Sequence, residues 1–429
     1  MTCYRTAPLL LSALLFFGVG CAKPQAANPA AMDDLAAHGD TTGLAHLAEQ
    51  ECQSKATTAR TSCYEDYFVK LARSDRVRVA LGALTVLAAA HPEVQAEGHN
   101  FTHVIGIRAW KDGEDVRTVF RGCTGIFQSG CYHGVIQGYL LSNGQLDSVR
   151  AVTLCDQVAP DESDRWLRFQ CVHGLGHGFE MAWNWELPRA LQGCDWLKDD
   201  WDRSSCYGGA FMENAIASMP GGHHMTMAVH ALAATDSDMG KMADMPGMDH
   251  GHGPDPSHIT YKMRDSSDAL YPCSAVGKKY EFACYQLQGG LILNRVDGDF
   301  ARATSECDKA DPLGRQQCYV SLGTNASGYT LQNVPKTIAD CSHGNPQMQP
   351  YCFSGAVKNY IDITSHPADG IKLCDAIQVG DNRAACFTAV GEEISVLFPT
   401  DAAARSNSCS KLSPDDAREC RRGADVSTP

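Results

Sequence analysis

A chain of 429 residues with 36 basic and 50 acidic side chains carries a formal charge of −14. That balance argues against nucleic acid and anionic membrane surfaces as partners. The length suits several conventional domains or one long array of repeats, and the spacing of the 20 cysteines selects the array.

In chain order, residues 1–20 read as an export signal, with Arg5 followed by an apolar run from Ala7 to Val19 that is too short to span a bilayer. The run ends Gly18-Val19-Gly20-Cys21, which resembles the bacterial lipobox, although that family prefers a branched apolar residue where Gly18 stands. The resemblance implies acylation of Cys21 and a lipid anchor in a bacterial cell envelope, facing the periplasm or outer membrane. Residues 21–45 are then expected to be a lipidated N-terminus and tether, because 22–31 are rich in Ala, Pro, Asn and Gln. No later apolar run is long enough to cross a membrane.

From there the cysteines set a rhythm. Cys284, Cys318, Cys352, Cys386 and Cys420 follow one another at 34-residue intervals, and Cys63 to Cys131 is twice that. Each has a cysteine shortly before it: Cys52 before Cys63, Cys123 before Cys131, Cys155 before Cys171, and Cys194 before Cys206. The series continues with Cys273 before Cys284, Cys307 before Cys318, Cys341 before Cys352, Cys374 before Cys386, and Cys409 before Cys420. In an oxidising compartment such a set is a disulfide framework, for which nine local bridges are the simplest connectivity among many. The second cysteine is often followed by an aromatic at +1 (Tyr64, Tyr132, Tyr207, Tyr285, Tyr319, Phe353, Phe387) and a small residue at +3, and preceded by arginine at −3. Arginine there is expected to be solvated or stacked. Within a unit, 299–307 reads as a short helix, 308–314 as a link and 316–325 as the next helix.

The step Cys318-Tyr319-Val320-Ser321-Leu322-Gly323 and the period resemble the tetratricopeptide-like α/α-repeat superfamily, in particular its secreted cysteine-rich members, over residues 46–420. The resemblance implies an all-α solenoid of about ten helical hairpins, nine of them bridged, and a surface that binds a protein partner. N-terminal repeats would occupy 46–218, C-terminal repeats 259–420, and a tail 421–429.

Two places break the rhythm. Between Cys206 and Cys284 lies an insert, 219–258, holding His223, His224, Met225, Met227, His230, Met239, Met242, Met245, Met248, His250 and His252. Thioethers with imidazoles suit copper. It resembles the Met/His-rich segments of periplasmic copper-handling proteins. The other break is the unit 34 residues before Cys131, which places Val86 and Glu97 near the cysteine positions and has no bridge.

Counting from these reference positions puts His99 and His103 at +2 and +6 of Glu97, His133 and Gln137 at +2 and +6 of Cys131, and His173 and His177 at +2 and +6 of Cys171. On a helix, +2 and +6 lie one turn apart on one face, which two ligands of one ion require. Stacked repeats would bring these positions side by side about 10 Å apart. The set is thus a candidate site for copper or non-haem iron, mononuclear with an open position or dinuclear. Glu213, at +7 of Cys206, is a weaker ligand and an acid/base candidate, and Asn214 beside it is expected to cap or orient. Three functions compete: a metalloenzyme, a copper-binding lipoprotein, and a protein-binding scaffold without catalysis. There is no serine-nucleophile elbow, phosphate-binding glycine loop or haem-attachment motif.

Overall fold

The computed structural model describes residues 29–110, 114–142, 148–218 and 261–426, and among these it is helical throughout, with no strand. Cys21 and the Met/His-rich segment, with His223, His224, Met225, Met227, His230, Met239, Met242, Met245, Met248, His250 and His252, lie outside the described residues. No described helix is long and apolar enough to cross a membrane.

Each unit pairs a short helix ending near its first cysteine with a long helix that carries the second. Phe300–Cys307 is followed by Pro312–Tyr329, Val334–Cys341 by Gln349–Thr364, and Ala402–Cys409 by Pro414–Val426. The short helices start where the sequence supplies a cap: the side chains of Asp299, Asn333 and Asp401 accept from the backbone amides of Arg302, Lys336 and Ala404. Asp311 caps the following long helix, with Pro312 in its first turn, where no amide donor is needed.

All nine local bridges form, each spanning 8 to 16 residues. The +1 aromatics are buried beside them, and several hydroxyls reach back across the hairpin. Tyr64 donates to Gln53, Tyr319 to Asp308 and Tyr132 to the carbonyl of Cys123.

Long helices stack neighbour to neighbour, and at four steps they approach until backbones touch. A methyl group on Gly176 would fall 2.0 Å from the carbonyl oxygen of Cys206, and one on Gly209 would fall 1.9 Å from that of His173. The same reciprocal contact joins Gly323 to Cys352 and Gly355 to Val320, Gly391 to Cys420 and Gly423 to Thr388, and Gly106 to Cys131 and Gly134 to His103. In every case the first glycine stands at +5 and meets the next unit's reference residue, and the second stands at +3 and meets the previous unit's +2 residue.

That rule corrects the register of the unbridged unit. Because Gly106 is at +5 and His103 at +2, the reference residue is Phe101, not Glu97, and Val86 and Glu97 are not cysteine equivalents. The reason lies in the next hairpin: the Cys123–Cys131 bridge spans 8 residues where Cys307–Cys318 spans 11, so a fixed 34-residue step overshoots. His103, His133 and His173 therefore share +2, while His99 sits one turn before it.

Two further expectations change. Of the expected tether 21–45, the described part from residue 29 on is packed helix instead: Pro29–Ala37 and Thr41–Cys52 bury Met32, Ala36, Leu44 and Ala45. Arginine at −3 is more than a solvated contact, since Arg168 bonds the buried Asp202 and Arg383 bonds Asp416 on the next long helix.

The array curls back on itself. Gln95 donates to Gln332 at 2.8 Å, Gln128 to Asn359, and the amide of Phe127 to the carbonyl of Ile363 at 3.2 Å. The N-terminal units thus touch the C-terminal ones.

Candidate metal centre

Three long helices converge their polar faces here: Gly98–Ala109 with His99 and His103, Gly130–Ser142 with His133 and Gln137, and Arg165–Ala182 with His173 and His177. The glycines at +3 and +5 let the backbones approach, so the imidazoles meet at much less than an ordinary interhelical spacing. Ring centroids of His99 and His103 are 4.6 Å apart, those of His103 and His133 5.3 Å, of His133 and His173 4.8 Å, and of His133 and His177 5.1 Å. His103, His133, His173 and His177 are buried and His99 is half-buried.

Two triads result, His99–His103–His133 and His133–His173–His177, and in each the three ligand atoms lie within 4.8 Å of one another. His133 belongs to both. The structure therefore brings together all five sequence-predicted histidines, including His99 despite its different register.

Each histidine has one nitrogen held by an acceptor outside the triads. The Nδ1–H groups of His99, His103, His173 and His177 donate to Phe127 O at 2.8 Å, Gln137 Oε1 at 2.7 Å, Ser205 O at 3.2 Å and Glu213 Oε2 at 2.8 Å. Nε2 is then the nitrogen each can present to an ion. His133 is reversed: its Nε2–H donates to Gln170 Oε1 at 3.0 Å, and its buried Nδ1 has no hydrogen-bond partner. Such outer partners fix the tautomer and raise the basicity of a ligand histidine.

His99 Nε2 and His103 Nε2 stand 3.1 Å apart. Two nitrogens bound at about 2.0–2.1 Å to one tetrahedral ion are separated by about 3.3 Å, so this spacing fits a shared cation. Two imidazoles whose protons both sit on Nδ1 otherwise face each other with lone pairs.

Burial also keeps the rings in the ligand form. Desolvation holds His99 below its ordinary pKa. It holds His133 well below, helped by His173, His177 and His99, and it brings His173 to about 4, with His99 contributing. Neutral imidazole is what a metal binds.

Gln137 and Glu213 occupy supporting places. Gln137 turns its oxygen to His103, and its amide group faces Met181 Sδ at 3.1 Å and Glu213 Oε2 at 3.4 Å. That orientation makes it an outer partner of His103, where the spacing had suggested a ligand. Glu213 is buried, accepts from His177, and faces the Trp185 indole N–H at 3.4 Å; burial raises its pKa to about 7 although the Trp185 contact opposes this. Asn214 is buried with no hydrogen-bond partner for Oδ1, so it neither caps nor orients a histidine through that atom.

Sequence reasoning missed Gln170, Met181, Trp185 and above all Glu180. Glu180 is fully buried, neither carboxyl oxygen has a hydrogen-bond partner, and burial, then Glu213 and Glu186, push its pKa well up. It stands three residues after His177 and seven after His173, a same-face spacing that marks it once the helix is extended past the histidines.

No protein-family model matches the chain, and neither does any curated protein or solved structure. The functional reading therefore rests on the site.

Proposed function

We propose that this is an exported, lipid-anchored metalloprotein in which five histidines on a tetratricopeptide-like helical array hold one or two transition-metal ions, copper or iron, for binding and handling the metal. The observation that carries the reading is the pair of buried triads joined at His133, each ring held from outside by a separate acceptor. An all-imidazole donor set suits copper and iron among others, and the Met/His-rich segment elsewhere in the chain favours copper. Nine disulfides support an oxidising compartment, and the signal-like N-terminus with Cys21 supports the anchor. Burial favours holding an ion, or reaction with something as small as dioxygen, over turnover of a large substrate.

The test is elemental analysis of protein produced in an oxidising compartment, compared with His133→Ala. The expected result is at least one tightly held metal equivalent in the parent and none held tightly in the variant, with circular dichroism unchanged because the bridges keep the hairpins. A parent that stays metal-free after loading with copper(II) or iron(II) would overturn it, and the scaffold function would take its place.

A further inference from the structure

The Cys123–Cys131 bridge brackets a loop that touches both the histidine site and the far end of the array. Its residues Phe127, Gln128 and Ser129 all have positive φ, at 49°, 56° and 64°, which is the only run of three such non-glycine residues among those described. Left-handed backbone of this kind persists only where surrounding contacts over-determine it. Those contacts come from two directions.

From the N-terminal side, the Phe127 carbonyl accepts from His99 Nδ1 at 2.8 Å. The Phe127 ring lies so close to the start of the His99 helix that a methyl group on Gly98 would fall 2.3 Å from it. From the C-terminal side, the Phe127 amide donates to Ile363 O at 3.2 Å. Ile363 is in the last turn of Gln349–Thr364, where carbonyls have no partner within the helix and must find one outside. One residue on, Gln128 donates to Asn359 of the same helix, and Asn359 is itself anchored by donating to Thr324 O at 3.1 Å. A single residue, with its amide N–H on the C-terminal units and its carbonyl on His99, thus connects ring closure to a ligand.

We infer that closure of the array is a clasp that positions His99: contact of the loop with Gln349–Thr364 sets the tautomer and aim of His99, and opening it loosens an ion held by His99 and His103 while leaving one held by His173 and His177 in place. This rests on the proposed metal site. Asn359 and Gln128 are positioning residues in this scheme and touch no ion.

The test uses the full-length protein with Asn359→Ala, Gln128→Ala, and Asn359→Asp, the last keeping an acceptor for Gln128. In the metal-free protein, nitrogen-15 NMR of the imidazoles reads the His99 tautomer. In copper(II)-loaded protein, release to excess EDTA reads retention. Expected are a single Nδ1–H tautomer at His99 in the parent and in Asn359→Asp, and a mixture in both alanine variants. One metal equivalent should leave the alanine variants about tenfold faster, as fast as from His99→Ala, with no further gain when His99→Ala and Asn359→Ala are combined. An unchanged His99 tautomer in both alanine variants would overturn the clasp, as would equal acceleration for both triads. A shifted tautomer in a protein that takes up no copper would leave the clasp standing and remove the metal reading.

Discussion

The two halves of the array share a scaffold and differ in what that scaffold presents at +2, +6 and +7 of the long helices. In the N-terminal half three successive units present His103, His133 and His173 at +2, all buried, and +6 and +7 supply Gln137, His177 and Glu213, also buried. In the C-terminal half the +2 residues Val320, Ser354 and Thr388 are half-buried and Arg422 is exposed, while +6 offers Lys358 and Glu392, an ion pair at 2.7 Å, and +7 offers Glu393. The bridges, the aromatic plugs and the glycine contacts recur in both. Scaffold and chemistry are thus carried by separate positions of one repeat, and a ligand row needs cover as well as ligands: in the C-terminal half the +2 and +6 positions are only partly covered, and a half-buried lysine and glutamate pair with each other there.

The largest expected effect concerns the first +2 residue, Glu65, which is buried like the histidines but can hold no ion alone. Burial, with a smaller push from Asp66, raises its carboxyl from 4.5 to about 8. A raised acid favours the folded state fully below about pH 4.5, and that contribution is lost as pH rises towards 8, because the unfolded chain ionises first. Glu65→Gln removes the ionisation, so it should stabilise the protein at pH 8 relative to the parent by roughly 3–5 kcal/mol and have little effect at pH 4. Denaturant midpoints at the two pH values measure this; an equal shift at both would show that Glu65 is not protonated in the fold.

Next in size is the scaffold common to both halves. Gly176→Ala and Gly391→Ala place a methyl group 2.0 Å and 1.9 Å from the carbonyl oxygens of Cys206 and Cys420, and backbone cannot yield as a side-chain tip can. Both should cost about 3 kcal/mol, near the top of the ordinary range for overpacking. Similar losses in the two halves, read by urea unfolding, would support a shared packing step; loss in only one would separate them.

How much of this the sequence carries depends on the kind of constraint. Local cysteine pairing is legible because a short loop leaves each cysteine one near partner, and the +1 aromatics and +3 glycines follow the same count. The register of His99 and His103 is not legible from a fixed period, since the hairpin between Cys123 and Cys131 is three residues shorter than that of Cys307 and Cys318. Gly106 and Gly134 hold the information, but only as a pair seen against the other glycine steps. Glu180 and Gln170 are not marked by the histidine spacing, although a helix buried along one face draws in whatever polar residues share it. Contacts such as Phe127 with Ile363 link residues far apart in the chain and have no local signature.

The smallest expected effect most directly separates the halves, because it compares two glutamates at the same repeat position. Glu213 accepts from His177 Nδ1 at 2.8 Å, while Glu393, also buried and raised well above an ordinary carboxyl by burial, then by Asp362, stands in the half whose long helices carry no histidine at +2 or +6. Glu213→Gln keeps the shape and an oxygen for His177 but removes the negative charge that makes the imidazole a better donor to a cation. Loss of such an outer partner commonly lowers metal affinity about 10–100-fold, or about 1.4–2.7 kcal/mol. Glu393→Gln should leave affinity unchanged. Competition with a chelator of known affinity measures both, and the pattern matters more than either value. Weakening by Glu213→Gln alone places the tightly held ion at His177, whereas weakening by Glu393→Gln alone would move it to the C-terminal units and leave the histidine row as packing.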